Sequence, residues 1–141
     1  MNIIKPVKQG IITSGYGQRK INGILQFHTG IDIGVKSNPV NVPVFCVKEG
    51  IISWYDDNPS TSGGFGKVIY INILGNWYSV YAHLNLLSFD LKFGSIIKAG
   101  EFIGIMGSTG QSTAIHLHYE ERFTMLPGKS RNPTDVYSLF L

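Results

Sequence analysis

No stretch longer than about 12 residues repeats its apolar residues at helical spacing, and this feature most constrains the possible folds. Instead, short runs rich in Ile, Val, Tyr and Phe are bounded by Gly, Pro, Asn or Ser, a pattern typical of strands joined by turns. The pattern predicts an all-β fold of antiparallel sheets, with one short helical turn near 134–140 and a long loop over 56–66. The predicted strands cover 10–16, 31–35, 43–55, 66–74, 77–84, 94–98, 101–106 and 115–123.

Length and composition fit one domain over residues 1–141. Hydrophobic residues make up 43% of the chain and charged residues 15%, which is enough apolar material for a core. The formal net charge is +3, from 12 basic and 9 acidic residues that are scattered along the chain. Without a basic stripe or a nucleic-acid-binding motif, no nucleic-acid partner is expected. No run reaches the length of a membrane span, so we expect no membrane insertion. The chain is expected to be a monomer.

The single cysteine, Cys46, excludes an intramolecular disulfide. Its neighbours in Val42–Val47 are apolar, so Cys46 is predicted to be a small buried residue rather than a nucleophile.

A hairpin is predicted where Gly75 and Asn76 separate two strands, because Gly in the first turn position suits a two-residue turn. If Leu74 pairs with Trp77, Asn72 faces Ser79, Tyr70 faces Tyr81 and Val68 faces His83. Side chains alternate along a strand. This register predicts a core face of Tyr78, Val80, Ala82 and Leu84, and an open, more polar face of Trp77, Ser79, Tyr81 and His83.

The strand at 115–123 is amphipathic and projects two imidazoles from one face. His116, His118, Glu120 and Arg122 alternate with Ile115, Leu117, Tyr119 and Phe123. A buried structural histidine is usually alone, so two neighbours on one face indicate shared chemistry.

His28 and Asp32 are predicted to lie on either side of a turn. In a continuous strand four residues span about 13 Å, too far for both side chains to reach one metal ion. A bend at Thr29 and Gly30 removes this problem, since glycine tolerates the backbone angles that a bend needs. Ile31 and Ile33 then lie in the core while Asp32 points away from it.

Adding one imidazole from His116 or His118 gives two His and one Asp, a set that suits one tetrahedral Zn²⁺ ion with a fourth position open for water. Hydroxide could then form near neutral pH, and a nearby imidazole outside the ligand set could carry a proton or stabilise an oxyanion. The residues alone do not choose between the two imidazoles.

Four separated motifs resemble peptidase family M23, the lysostaphin-like or LytM-type zinc endopeptidases of bacterial cell walls. The motifs are Ser14–Arg19, His28–Asp32, Tyr81–Leu84, and Gly107–Thr113 followed by His116–Glu120. The resemblance implies hydrolysis of peptide cross-links or stem peptides in peptidoglycan. It also implies the compact lysostaphin-like β fold (the duplicated hybrid motif), with a substrate groove whose walls would be the loops at 56–66 and 107–114.

Carried over by position, the resemblance implies His28, Asp32 and His118 as zinc ligands and His83 and His116 as catalytic residues. One departure is Ala114-Ile115, where the family often has Gly-Pro.

Three further residues have two interpretations each. Tyr16 could stabilise an oxyanion or be a turn residue. Tyr81 could line the groove or pack against a cross-strand aromatic residue. Glu120 could support a metal ligand or be solvated.

The sequence disfavours two other classes of function. A non-catalytic wall-binding module is disfavoured because all five site residues are present, and a lipoyl- or biotinyl-type carrier because Met106-Gly107-Ser108 lacks the lysine at the turn tip. The resemblance implies action in the cell wall or outside the cell. The segment Met1–Lys8 has no apolar run, so no signal peptide is predicted. The enzyme would then be released by lysis like an endolysin, carried on a phage particle, or derive from a trimmed chain.

Overall fold

The computed structural model describes residues 2–60, 63–125 and 129–141. Twelve strands and a short C-terminal helix are found in these residues. The strands are β1 (Gly10–Ser14), β2 (Gly17–Ile21), β3 (Ile24–His28), β4 (Ile31–Val35), β5 (Pro43–Phe45), β6 (Gly50–Asp56), β7 (Lys67–Leu74), β8 (Trp77–Leu87), β9 (Ile96–Ile97), β10 (Phe102–Met106), β11 (Leu117–Phe123) and β12 (Ser130–Arg131). The helix α1 (Thr134–Tyr137) and two 3₁₀ turns, Gly63–Phe65 and Ser138–Phe140, complete the described elements.

Ten strands form one antiparallel sheet, so the all-β prediction is confirmed. The main path runs β1-β4-β11-β8-β7-β6-β9, while β10 pairs with both β5 and β8, and β12 pairs with β11. The predicted strand at 43–55 is divided into β5 and β6, and the one at 10–16 ends at Ser14. The helical turn near 134–140 is present as α1 and the 3₁₀ turn after it.

The hairpin β2–β3 was not predicted and forms a separate two-stranded sheet. Its turn is Asn22-Gly23, with φ of 52° and 80°. Positive φ at both turn residues is what a type I′ hairpin requires, and Asn-Gly is its strongest sequence signal. The signal was present, but the flanking residues do not alternate in polarity, because the hairpin is largely exposed on both faces.

The predicted register of β7 against β8 is wrong beyond the turn. Leu74 does pair with Trp77, but a bulge at Ile73 shifts the rest by one residue, so that Ile71 pairs with Ser79 and Ile69 with Tyr81. The predicted core face is only partly correct. Tyr81 lies in the main core instead of Val80 and Ala82, whereas Leu84 lies there as predicted, because Ala82 and His83 together stand opposite Val68.

Both faces of β8 are buried, which explains why polarity did not reveal its orientation. Ser79 and Tyr81 are fully buried, Tyr81 in the main core, whereas Val80 and Ala82 lie on the other face in a smaller cluster. The main core is built from β4, β7, β8 and β11 and includes Ile31, Ile33, Ile69, Ile71, Leu84, Leu117 and Tyr119. Burying each such side chain stabilises the fold by about 1.5–3 kcal/mol, which makes the sheet a rigid platform.

Cys46 is buried as predicted, and burial raises the pKa of its thiol to about 12. It is therefore a core residue and not a nucleophile. Within the described residues, no helix is long and apolar enough to cross a bilayer.

Candidate metal centre and catalytic groove

His28 and Asp32 lie on either side of a tight turn, as predicted. His28 ends β3 and Asp32 lies in β4, with Thr29 and Gly30 between the strands. The turn passes so close to β11 that a methyl group on Gly30 would overlap the carbonyl oxygen of Tyr119. Only glycine fits there, and the contact holds the turn against the sheet.

His118 joins this pair through strand pairing. In the sheet, His118 of β11 is the direct partner of Asp32 of β4. The Nδ1 atom of His118 lies 2.9 Å from Asp32 Oδ1 and 3.3 Å from His28 Nε2, and His28 Nε2 lies 3.1 Å from Asp32 Oδ1. Three ligand atoms thus lie within 4.8 Å of one another, close enough to share one metal ion.

Each of the three candidate ligands has a second contact. His28 donates from Nδ1 to the carbonyl oxygen of Gly15 at 2.7 Å, which leaves Nε2 free for a metal. His118 donates from Nε2 to Glu120 Oε1 at 2.8 Å, which leaves Nδ1. Arg19 Nη1 contacts the other carboxylate oxygen of Asp32 at 3.3 Å. Such outer contacts fix the tautomer and orientation of metal ligands.

Glu120 is fully buried rather than solvated. Besides His118, its carboxylate accepts hydrogen bonds from Arg122 Nε at 3.1 Å and from the hydroxyl of Thr29. Glu120 was expected either to support a metal ligand or to be solvated, and the structure shows it in contact with the candidate ligand His118.

The electrostatics favour an ionised Asp32. Burial alone would raise the pKa of Asp32, but hydrogen bonds from His116, His118 and His28 lower it well below its usual range. For His118, burial opposes protonation, while the contacts with Asp32 and Glu120 outweigh it and raise the pKa. The cluster therefore concentrates negative charge at the point where the imidazole nitrogens converge, as a cation site requires.

His83 reaches the same site through a distortion of β8. Ala82 and His83 together lie opposite the single residue Val68, and His83 has a φ of 62° in the left-handed region. Its Nδ1 donates to the carbonyl oxygen of Thr109 at 2.7 Å, so Nε2 faces the groove. Burial lowers the pKa of His83 to about 4, with the neighbouring His116 and His118 adding to the effect.

His116 lies just before β11, in a bridge to Gly107. Its Nδ1 donates to the carbonyl oxygen of Ala114 at 2.9 Å, and its Nε2 is 3.5 Å from Asp32 Oδ1. The rings of His83 and His116 are 5.1 Å apart between centroids. Two imidazoles outside the three-ligand group therefore flank it from one side.

These residues lie in a groove of about 760 Å³. Gly64 and Phe65 of the first predicted wall loop, and residues 111–113 of the second, line it. Ile21, Gln26 and Phe27 of the β2–β3 hairpin form a further wall that the sequence did not predict.

Tyr81 and Tyr16 lie outside this groove. Tyr81 is fully buried in the main core, where its hydroxyl accepts a hydrogen bond from the Val47 amide and its ring packs 5.2 Å from that of Tyr119. Tyr81 therefore does not line the groove, and the structure shows the second of its two interpretations, packing against Tyr119 of the paired strand β11. Tyr16 is half-buried and donates its hydroxyl to the carbonyl oxygen of Ser130 at 3.1 Å.

Thr109 was missed as a functional residue. Its carbonyl oxygen holds His83, while its hydroxyl donates to the Leu84 carbonyl at 2.7 Å and accepts from the Lys67 amide at 3.0 Å. The Gly-Ser-Thr-Gly segment marked the turn, but only the tertiary structure shows what the hydroxyl contacts.

Fold and site together define an all-β metallopeptidase domain with two histidines and one aspartate at its centre. The profile of Peptidase family M23 matches residues 26–133, and the chain belongs to this family.

Two curated relatives and two solved structures show what the chain resembles. It is 35% identical over 136 residues to the DD-carboxypeptidase/endopeptidase Mpg of Neisseria meningitidis, covering 94% of this chain and 28% of the relative. It is 33% identical over 106 residues to lysostaphin of Staphylococcus staphylolyticus, covering 75% of this chain and 21% of the relative. The chain thus spans less than a third of either relative's length.

The two structural matches extend over nearly all of the matched catalytic domains. The catalytic domain of the prophage-encoded M23 protein EnpA from Enterococcus faecalis superposes with a TM-score of 0.75 at 33% identity, over 90% of this chain and 91% of that one. The catalytic domain of lysostaphin from Staphylococcus simulans gives 0.72 at 30% identity, with the same coverage. These matches confirm the predicted lysostaphin-like fold.

Proposed function

We propose that this protein is a zinc-dependent endopeptidase that hydrolyses peptide cross-links or stem peptides of bacterial peptidoglycan. The observation that carries the proposal is the convergence of His28 Nε2, Asp32 Oδ1 and His118 Nδ1 within 4.8 Å at the floor of an open groove.

The donor set fits Zn²⁺. Two imidazole nitrogens and one carboxylate oxygen are ligands that zinc accepts in tetrahedral sites, and three protein ligands leave one position open. The outer contacts of His28 and His118 present the ligating nitrogens without competing for them. When bound, zinc would supply a Lewis acid that polarises a scissile carbonyl and makes an attacking water more acidic.

His83 and His116 are assigned to proton movement and to charge stabilisation during amide hydrolysis. Each has Nδ1 tied to a backbone carbonyl, so each presents Nε2 to the groove. An imidazole nitrogen so placed can accept a proton from the attacking water, or donate a hydrogen bond to the oxyanion of the tetrahedral intermediate. Burial lowers the pKa of His83 to about 4, so its Nε2 is unprotonated at neutral pH and can accept a hydrogen bond from the attacking water.

The substrate class follows from the relatives. Mpg is named a DD-carboxypeptidase/endopeptidase and a relative from Vibrio cholerae a peptidoglycan DD-endopeptidase. We infer that peptidoglycan peptides are the substrate of this chain as well. We also infer that it acts in the cell wall or outside the cell. All five site residues come from one chain, so the proposed chemistry requires no second subunit and a monomer suffices.

Metal dependence tests the proposal. Dialysis against a chelator should abolish turbidity loss of susceptible walls, and one equivalent of Zn²⁺ should restore it. His118→Ala removes a ligand and should lower both zinc content and hydrolysis, whereas His116→Ala should keep zinc bound and lose hydrolysis.

Lys98→Ala, an exposed change outside the groove, is the matched control. Mass spectrometry of the released muropeptides identifies the bond that is cleaved. Undiminished hydrolysis after verified metal removal would refute the proposal. Binding to walls with no muropeptide release by the zinc-loaded protein would favour a non-catalytic wall-binding module instead.

A further inference from the structure

A second cavity, of about 700 Å³, lies outside the groove. The N-terminal segment, the start of β1, the end of β4 and the segment that leads into β5 surround it. We call it the basic cavity, after the three lysines that line it: Lys5, Lys8 and Lys36. It shares no lining residue with the catalytic groove.

The charge of the basic cavity is not neutralised. Among the described residues, none of its three lysines has an ion-pair partner, and no Asp or Glu lines it. Two of the lysines make cation–π contacts. Lys5 Nζ lies 5.0 Å from the ring centroid of Phe140, and Lys8 Nζ lies 4.8 Å from the ring centroid of Phe45. Five other basic residues of the described chain are in ion pairs: Arg19, Lys48, Lys67, Arg122 and Arg131. The remaining four lysines are exposed and have no ion pair in the described chain either, so the feature that distinguishes Lys5, Lys8 and Lys36 is that they line one cavity together.

Neutral hydrogen-bonding groups lie between the lysines. The side chains of Gln9, Ser37, Asn38 and Asn41 line the cavity, and none of them has a hydrogen-bond partner elsewhere in the described chain. Ammonium groups beside free amide and hydroxyl donors match the oxygens of a phosphate. The cavity is open and larger than one phosphate group needs, and it has no aromatic side chain on which a base could stack.

The basic cavity is connected to the active site by one strand. Asp32 lies in β4, and Lys36 directly follows the end of that strand. Four residues of extended chain span roughly 13 Å. A polymer held beside Lys36 would therefore lie within roughly 13 Å of Asp32.

We propose that the basic cavity binds a linear phosphodiester polymer of the bacterial cell wall and thereby holds the wall beside the groove. The biological source of this ligand rests on the proposed function, but the binding itself requires neither zinc nor catalysis.

Long-chain inorganic polyphosphate is the first probe, titrated at several salt concentrations. The triple change Lys5→Gln, Lys8→Gln and Lys36→Gln should weaken binding at least tenfold and reduce the slope of log affinity against log salt by about 2 to 3, since each phosphate contact contributes about 0.7–0.9. Lys92→Gln, Lys98→Gln and Lys129→Gln together remove the same charge from exposed lysines outside the cavity, and should change the slope by less than about 1. Lys36→Gln alone, at an exposed position, should give about a third of the triple effect and guards against misfolding of the triple variant.

Intact walls and walls stripped of their phosphodiester polymer form the second arm. The unaltered protein should sediment with intact walls more than with stripped ones, and the cavity triple should lose that difference. The proposal would be overturned if both triple variants weakened polyphosphate binding equally, or if the unaltered protein sedimented equally with both kinds of wall. Tighter binding to single-stranded DNA than to polyphosphate would do the same.

Hydrolysis of a soluble cross-linked peptide separates this proposal from the proposed function. The cavity triple should retain that activity, because none of its residues lines the groove. Loss of polyphosphate binding with retained peptide hydrolysis confines the effect to the cavity, whereas absent hydrolysis in the unaltered protein would count against the proposed function alone.

Discussion

His83 departs from the extended backbone conformation of β8, and its side chain faces the groove. Its φ of 62° lies in a region that costs a non-glycine residue about 1–2 kcal/mol, and its ring is largely buried. The bulge at this position turns the imidazole toward His116 and His118, while Leu84 returns to the main core. Such strain persists where the surroundings over-determine the conformation, and here Thr109 supplies that restraint.

Thr109→Val keeps the backbone carbonyl that contacts His83 but removes the hydroxyl contacts that fix the position of this carbonyl. It therefore tests whether those contacts support the restraint on His83. Valine keeps the shape of threonine but leaves the Lys67 amide and the Leu84 carbonyl without their partner, at a cost of about 1–3 kcal/mol in stability. We expect kcat to fall about tenfold or more with little change in KM or zinc content, since Thr109 positions His83 and contacts no ligand. Steady-state kinetics on a soluble peptide and metal analysis measure these effects.

Thr109→Ser keeps the hydroxyl and should restore most of the activity. Thr134→Val, the same change at an exposed position outside the groove, is the matched control. Equal activity of the valine variant and the unaltered protein would contradict the assigned role.

At the scale of elements, the two predicted wall loops are packed against each other through glycine. A methyl group on Gly110 would overlap backbone atoms of Gly66, and both residues have positive φ, 75° and 64°. The backbone of one loop therefore lies directly on that of the other. The spacing of the groove walls depends on this contact.

Gly110→Ala should disturb the loop contact. It combines left-handed strain with a steric overlap against backbone that cannot move aside, so we expect a loss of about 2–4 kcal/mol in the free energy of unfolding. Peptide hydrolysis should fall as well, because Gln111 and Ser112 of the groove wall follow directly. Urea denaturation and the peptide assay provide the two measurements.

Gly94→Ala separates the effect of backbone strain from the effect of steric overlap. Gly94 has a φ of 79°, but a methyl group there would meet no atom within 4 Å. It should cost only about 1 kcal/mol and leave hydrolysis intact. Similar losses for the two variants would show that loop packing contributes nothing.

At the scale of the whole molecule, Lys48 joins three distant parts of the chain. It is only 3% exposed, and its Nζ lies 2.7 Å from Glu121 Oε2 in β11 and 2.8 Å from Asp135 Oδ2 in α1. Glu121 also contacts Arg131 of β12 at 2.9 Å. A buried charge left unpaired is strongly destabilising, so this network specifies where the C-terminal helix docks.

The Asp135 link predicts a pH-dependent part of stability. Burial alone would raise the pKa of Asp135, but the hydrogen bond and charge of Lys48 hold it below its ordinary value. A lowered pKa in the folded state means that the stabilisation is complete above about pH 5, and is lost as the pH falls through roughly 4 and below.

Asp135→Asn should accordingly lower the Tm by a few degrees at neutral pH, and the difference from the unaltered protein should shrink below about pH 4. The side chain is 45% exposed, so we expect no more than about 1 kcal/mol. Thermal denaturation between pH 3 and 8 measures it, with Asp90→Asn as an exposed control. A difference that grows toward low pH would contradict the assignment.

The sequence by itself determined the fold class, the His28–Asp32 turn and the amphipathic face of β11, because these depend on local periodicity and on glycine at a bend. The resemblance to family M23 added the two loops, at 56–66 and 107–114, of which Gly64, Phe65 and residues 111–113 line the groove. What only the tertiary structure decided was whatever depends on contacts between distant strands. The direction of Tyr81 toward the main core is one example. Both faces of β8 are buried, with Val80 and Ala82 in the second cluster, so the polarity signal that strand patterns rely on is missing. The hold of Thr109 on His83 and the clustering of Lys5, Lys8 and Lys36 likewise arise where the sheet brings remote segments together.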